Sequence, residues 1–258
     1  MLAKERQNRI LSTIKSDGSV RMSDIMQTFQ VSHETARRDL DALQDQDLIK
    51  RVYGGAVLPD EASSVITAHV ERKSSGTEER SAIGKLAASM IKDGDTVFLS
   101  VGLTVQEIAK QLRHRKDVTV LTNSVLVLHE LLDSDVKLCV LGGFVNNQER
   151  SIEGSLALDT LSKFYVNKAF IGAGGISTEL GISDYSLEVA SLNCKVIEQS
   201  KKTILVAHAK KFGNNCLSIT APINKVQTII SDVGLSAPYQ EYIKKSGVEL
   251  LLADAETL

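Results

Sequence analysis

Two arginines stand side by side in a segment that reads as a capped helix, Ser32-His33-Glu34-Thr35-Ala36-Arg37-Arg38-Asp39-Leu40. With Ala36 facing a core, a step of about 100° per residue puts Leu40 and Leu43 on the same side. The same step puts Glu34, Arg38, Asp41 and Asp45 opposite, with Thr35 and Arg37 on the flanks. Ser32 is of the type that caps a helix N-terminus. The exposed first half therefore offers His33, Glu34, Thr35, Arg37 and Arg38. Arginine reads guanine through a bidentate hydrogen bond, and phosphates favour both arginine and a helix N-terminus. A helix in the DNA major groove reaches base edges with its N-terminal residues. On spacing alone, a solvated face with weak Arg37–Asp41 and Arg38–Asp41 pairs fits equally well.

The elements around this helix favour double-stranded DNA. Residues 4–15 read as a helix with Ile10, Leu11 and Ile14 on one face, closed by Asp17-Gly18. Ser19-Val20-Arg21 is a short extended piece, and Ser23 is set to cap a second helix over 24–29, with Ile25, Met26 and Phe29 inward. Gln30-Val31 is the turn into the third helix, 33–46. Residues 48–52 and 56–58 then form a hairpin around Tyr53-Gly54-Gly55. Its basic pair, Lys50 and Arg51, suits phosphate contact. Three helices and a hairpin make a winged helix-turn-helix over 1–58, with the helix-turn-helix at about 20–39.

Residues 59–78 mix Ser, Thr, Gly and charges without period, which reads as a linker. Beyond it, helices and short apolar strands alternate from 79 to 258. Helices are expected at 79–91, 105–112, 125–132, near 156–164, 187–200 and 238–245. Strands are expected at 96–100, 118–121, 137–141, 168–172, 203–207, 228–231 and 248–252. That alternation is the signature of a parallel α/β sheet with both faces buried.

Composition sets the outer limits. The chain has 258 residues, 43% hydrophobic and 24% charged, a globular profile with room for two domains. Apolar runs such as 125–128 and 250–253 are far shorter than the ~20 residues of a membrane span. The start, Met1-Leu2-Ala3-Lys4-Glu5-Arg6, has no signal-peptide core. Cys139, Cys194 and Cys216 form no CxxC pair, which points to a reducing cytoplasm. The five histidines have no metal-ligand spacing, and no Ser/His/Asp, Cys/His or Walker-type grouping occurs. No metal, cofactor or enzymatic activity is therefore expected. Aromatic content of 4% with no Trp argues against a stacking platform for single strands. Residues 1–58 carry nine basic and eight acidic residues, +1 in a chain of net −2, so any DNA contact depends on local arrangement.

The spaced Arg6, Ile10 and Ile14, the block from Ser32 to Leu40, and the wing Arg51-Val52-Tyr53-Gly54-Gly55-Ala56 resemble the signature of the DeoR-type bacterial transcription regulators. The resemblance runs to about Asp232. It implies a C-terminal Rossmann-like domain resembling ribose-5-phosphate isomerase and CoA-transferase folds, which binds a small phosphorylated sugar or similar effector. It also implies a repressor of a carbohydrate-metabolism operon, released by that effector. A homo-oligomer is expected, because two readers on one DNA gain affinity through effective concentration. The matching loops are Ser100 to Thr104, Leu121 to Ser124, Gly142-Gly143, Ala169 to Gly175, and Lys211-Phe212-Gly213. They imply an effector site built from Gly102, Thr104, Asn123, Gly142, Gly143, Gly174 and Lys211, the lysine as counter-charge to phosphate. All fall at C-terminal strand ends, where open α/β sheets bind ligands.

The chain also departs from the family. Ser100 and Gly174 stand where the family usually has acidic residues, and Leu103 where it has Ser or Thr. His208-Ala209-Lys210 stands where it has Asp-x-Ser. These changes fit an unusual effector or a partly degenerate pocket. They leave two alternatives open: a sugar-phosphate isomerase on the same fold, and a DNA-binding protein that senses no ligand.

Overall fold

Hydrophobic side chains of three helices meet around Ile10, Ile14, Ile25, Ala36, Leu40 and Leu43, all buried. The structure, a computed structural model, describes residues 3–17, 19–46, 48–52, 55–57 and 76–255. The chain divides into two units, residues 1–75 and 76–258. In the first, α1 (Ala3–Asp17), β1 (Ser19–Arg21), α2 (Met22–Phe29) and α3 (His33–Gln44) precede β2 (Lys50–Val52) and β3 (Gly55–Val57). The three strands form one antiparallel sheet in the order β1-β3-β2. Gln30, at φ 50°, turns the chain between α2 and α3. Ser23 is not a cap, because α2 already starts at Met22, directly after β1. Tyr53 and Gly54 of the expected wing turn, Leu58, and residues 59–75 of the expected linker lie outside the described residues.

One polar pair sits inside this apolar cluster. Asp39 occupies the core-facing stripe of α3 beside Leu40 and is buried. Arg6 of α1 grips it in a fork, Nε to Oδ2 at 2.5 Å and Nη2 to Oδ1 at 3.2 Å. Gln7 adds a third donor to Oδ1 at 3.1 Å. The hydrogen bond to Asp39 pushes the Arg6 pKa further up.

In the second unit, α4 (Thr77–Ser89) leads into β4 (Thr96–Leu99), α5 (Leu103–Leu112), β5 (Thr119–Thr122), α6 (Val125–Leu131) and β6 (Lys137–Val140). The hairpin β7 (Phe144–Asn146) and β8 (Ser151–Glu153) follows, then α7 (Ser155–Leu161) and β9 (Val166–Ile171). Next come β10 (Gly175–Ser177), β11 (Gly181–Asp184), α8 (Leu187–Glu198) and β12 (Ser200–Val206). The chain ends through β13 (Ser218–Ala221), β14 (Thr228–Asp232), α9 (Ala237–Lys245) and β15 (Glu249–Ala253). Seven strands form a parallel sheet in the order β15-β14-β12-β9-β4-β5-β6. Its central strands are apolar on both sides, with Phe98, Leu121 and Ile171 in one cluster and Val97, Leu99 and Phe170 in the other.

The alternating pattern therefore reads correctly, with ends displaced by about one to three residues, the usual spread at frayed or capped termini. The helix expected from 79 begins at Thr77, inside the expected linker. The helix expected from 105 begins at Leu103, because Gly102 at φ 124° forms its N-cap. The sequence reading missed two antiparallel pieces, the β7–β8 hairpin and the sheet β10-β11-β13. No helix among the described residues is long and apolar enough to cross a membrane.

Removing one partner of a buried ion pair leaves an uncompensated charge, a loss of about 3–5 kcal/mol. Arg6→Ala is therefore expected to speed amide hydrogen exchange in α1 and α3 of the full chain while β4 and β9 keep their protection. Arg6→Met with Asp39→Leu should restore most of that protection.

Candidate DNA-reading helix and effector site

Ser32 caps α3 as expected. Its Oγ accepts from Thr35 N–H at 3.3 Å and lies 3.0 Å from Thr35 Oγ1. His33, Glu34, Arg37 and Arg38 are exposed on the first turns. Arg37 Nε lies 3.8 Å from Asp41 Oδ2, matching one expected pair. Arg38 instead turns back to Glu34, Nε to Oε1 at 3.5 Å, and does not pair with Asp41. An arginine four residues after a glutamate reaches one turn back along the same face. Both guanidinium groups stay mostly exposed, 58% and 79%, so these pairs hold them with roughly 0–1 kcal/mol and yield readily to phosphate or guanine. Lys50 and Arg51 belong to wing strand β2.

Of the expected effector residues, Gly102 and Thr104 lie where the sheet changes direction, and Asn123 follows the neighbouring strand. From β4 the chain builds outward through β5 to edge strand β6, then returns to add β9 on the other side of β4. The loops leaving β4 and β9 flank this switch point. They touch: a Cβ on Gly172 would lie 3.2 Å from the Val101 carbonyl, and Ser100 N–H donates to Phe170 O at 3.0 Å. Gly102 is exposed with open space beyond its Cα, and no side chain caps α5 there. The first N–H groups of α5 are thus available to an anion. Thr104 is buried in that turn.

Asn123 follows β5, next to β4. Its loop is pinned by Thr122 Oγ1, which donates to Leu99 O at 2.6 Å and accepts from Ser124 N–H at 2.9 Å. Asn123 is 1% exposed, donates weakly to Ile152 O at 3.4 Å, and its Oδ1 has no hydrogen-bond partner among the described residues. Lys211 ends a 3-10 turn, Ala209–Lys211, with Nζ 5.6 Å from the centre of the Tyr185 ring. Asp232 holds that turn through Ala209 N–H at 2.6 Å. His208 before it is partly buried, and burial, then the charges of Lys211 and Arg80, push its pKa down.

Gly142 and Gly143 sit differently. They follow β6, separated from β4 by β5. The Gly143 side chain is missing because a Cβ would lie 2.3 Å from Glu153 O across the hairpin, which is packing between chain segments. Gly174 also answers to its neighbours, since a Cβ there would meet Cys216 Sγ at 2.8 Å and the Tyr185 ring at 3.1 Å.

Two charged residues at this end escaped the sequence reading. Arg80 of α4 is buried, and burial pushes its pKa down while Glu107 and Glu79 oppose the shift. Gly84 of α4 packs against Glu107 of α5, and Arg80, one turn earlier on α4, feels the Glu107 charge. Asp184, at the end of β11, is the other. Its Oδ2 accepts from Asn193 Nδ2 at 3.4 Å and Thr220 Oγ1 at 3.5 Å. Burial pushes its pKa up to about 7; Asn193 and Lys211 pull it down, and Glu149 adds to the rise. The Gly181–Asp184 run, Gly-Ile-Ser-Asp, carries no periodicity that marks its acid out.

A helix-turn-helix reader followed by an α/β domain with an anion-receptive switch point is the layout of a ligand-responsive transcription regulator. Residues 6–62 match the DeoR-like helix-turn-helix domain, and residues 75–233 match the DeoR C terminal sensor domain. The chain is 36% identical to the HTH-type transcriptional repressor GlcR of Bacillus subtilis (strain 168), over 99% of this chain and 98% of that one. It is 31% identical to the glycerol-3-phosphate regulon repressor of Escherichia coli (strain K12), over 90% and 92% of the two chains. The structure of ribose 5-phosphate isomerase A from Methanocaldococcus jannaschii overlays with a TM-score of 0.41 and 15% identity, covering 54% of this chain and 55% of that one. The chain belongs to the DeoR family, whose members are DNA-binding transcriptional repressors and not enzymes; it binds DNA and a small-molecule effector.

Two outcomes test this geometry. Arg37→Ala and Arg38→Ala should each weaken binding to a selected DNA duplex. A base-reading arginine costs ~1–3 kcal/mol and its loss relaxes sequence preference, whereas loss of a phosphate contact lowers the salt slope by about one. The second concerns pH. Asp184 holds its proton more tightly folded than unfolded, so its contribution favours the fold at low pH and is lost between about pH 4 and 7. Asp184→Asn should therefore raise the melting temperature more at about pH 8 than at about pH 5, in paired thermal scans.

Proposed function

We propose that this protein represses a carbohydrate-metabolism operon in the cytoplasm and is released from its operator by a phosphorylated sugar. In this reading residues 1–58 are the reader, and a linker from 59 leads into the sensor, which begins with α4 at Thr77. The reader binds double-stranded DNA through Ser32, His33, Glu34, Thr35, Arg37 and Arg38 of the capped helix, and Lys50 and Arg51 of the wing. The protein acts as a homo-oligomer, so that two readers engage repeated half-sites.

The observation that carries the effector class is the uncapped α5 N-terminus. Gly102 lets a phosphate approach the backbone, and Arg80 and Lys211 serve as counter-charges. Thr104 and the unpartnered Asn123 Oδ1 supply polar contacts to the sugar. Gly174 and the Gly142-Gly143 turn shape the rim. The named relatives, a GlcR repressor and a glycerol-3-phosphate regulon repressor, support the same class. Release follows from linkage: an effector that binds the DNA-free state more tightly lowers DNA affinity by the same factor.

Thermal scans of the full chain against a panel of pentose and hexose phosphates test this. A ligand at 100 times its Kd adds about 2.7 kcal/mol and a matching rise in melting temperature. Lys211→Ala should keep duplex binding but lose release by the active compound. Silence across the panel would favour a DNA-binding protein that senses no sugar phosphate. Light scattering near the mass of one chain, with and without DNA, would remove the oligomer.

A further inference from the structure

Ser100, just past the end of β4, begins a polar side-chain chain that ends in a carboxylate. Ser100 Oγ donates to Asn193 Oδ1 at 2.6 Å. That bond fixes the amide, because the oxygen is taken by Ser100 and the NH2 group must face the other way. The other way is Asp184, whose Oδ2 accepts from Asn193 Nδ2 at 3.4 Å. Gly174 N–H donates to the carbonyl of Ser183, the residue before Asp184, at 2.9 Å. The chain Ser100–Asn193–Asp184 therefore links the loop after β4 to the end of β11.

Ser100 and Asn193 are fully buried, whereas Asp184 is only partly so. The network thus ends in a partly exposed group, held by donors from α8 and β13. Asn193 and Thr220 occupy some of its four acceptor sites, leaving capacity for further donors. The charged neighbours are Lys211, which attracts its anionic form, and Glu149, which opposes it. Cys216 stands alongside, its thiol pushed up chiefly by burial and also by Asp184.

We infer that Asp184 is a specificity-determining residue of the effector site, accepting hydroxyl hydrogens from the sugar end of a phosphorylated polyol and repelling ligands with a second anionic group there. The inference rests on the sugar-phosphate reading above. It divides the site by chemistry: the α5 N-terminus, Arg80 and Lys211 hold the phosphate, and Asp184 reads what the phosphate is attached to. A hydroxyl donates to a carboxylate in a charge-assisted bond. A ligand carboxylate at the same place has no proton to donate and meets like charge.

Titration calorimetry on the full chain at about pH 8, where Asp184 is ionised, tests this with five probes of three kinds. These are inorganic phosphate, the sugar phosphates glucose 6-phosphate, fructose 6-phosphate and ribose 5-phosphate, and 6-phosphogluconate, which has glucose 6-phosphate's carbon chain with a carboxylate at its end. In Asp184→Asn, every sugar phosphate that binds wild type should weaken about tenfold or more, the scale of a lost hydrogen bond to a charged group. Inorganic phosphate should be unchanged, and wild-type preference for glucose 6-phosphate over 6-phosphogluconate should shrink. Duplex binding and the melting temperature of the variant establish that it is folded. Sugar-phosphate affinity unchanged in Asp184→Asn, or inorganic phosphate weakened equally, overturns the role of Asp184 and leaves the effector class standing. Wild type that binds none of the three sugar phosphates overturns both.

Discussion

A strand in the middle of a parallel sheet is hydrogen-bonded on both sides, and every connection must travel back over a face to start the next strand. β4 is such a strand, paired with β5 and β9. The chain therefore fills one side to the edge at β6 before it returns to the other. The loops leaving β4 and β9 head apart, and the opening between them cannot be filled by a crossover helix. Backbone groups past the strand ends have no ladder partner, so polar residues collect there. Thr122 caps a carbonyl, Asp232 holds two N–H groups, and Ser100 starts a side-chain chain. The polarity of the effector site begins as a requirement of sheet topology, and ligand chemistry is added to it.

The reader solves a different problem with a contrasting distribution of charge. Arg6 and Asp39 are buried and fork-bonded, which fixes the angle between α1 and α3. On the outer face of the same helix, Arg37 and Arg38 hold only exposed partners. One face of α3 is thus rigid where it must be placed, and adaptable where it must meet a sequence of bases. Exchanging weak intrahelical pairs for phosphate costs little, because both states are solvated.

Much of this was legible in residue order. Short apolar runs such as 96–99 and 228–232 announce buried parallel strands, and Ser32 announces a helix start. The antiparallel pieces did not announce themselves: β10 and β8 are three residues each, too short for alternation to register. Arg6 and Asp39 are 33 positions apart, and no periodicity links them, although an acid one residue from Leu40 on the buried stripe was a visible anomaly. The candidate effector loops came from the family resemblance, with glycine and small polar residues after each strand. Asp184 and Arg80 escaped that reading, because their surroundings come from what folds against them. Gly143 was read for a ligand, and its lack of a side chain also answers to close packing in the hairpin.

Gly174 bears on how this protein could have diverged from its relatives. An acidic side chain at that position now runs into Cys216 and the ring of Tyr185. Tyr185 in turn carries Lys211 over its face, so trimming it removes that cation–π contact. The residues at 174, 185 and 216 are therefore tied together in packing. A larger residue at 174 requires Cys216 and Tyr185 to give way with it. Sequence comparison should find these positions changing as a set, an epistatic block whose members have meaning only in each other's company.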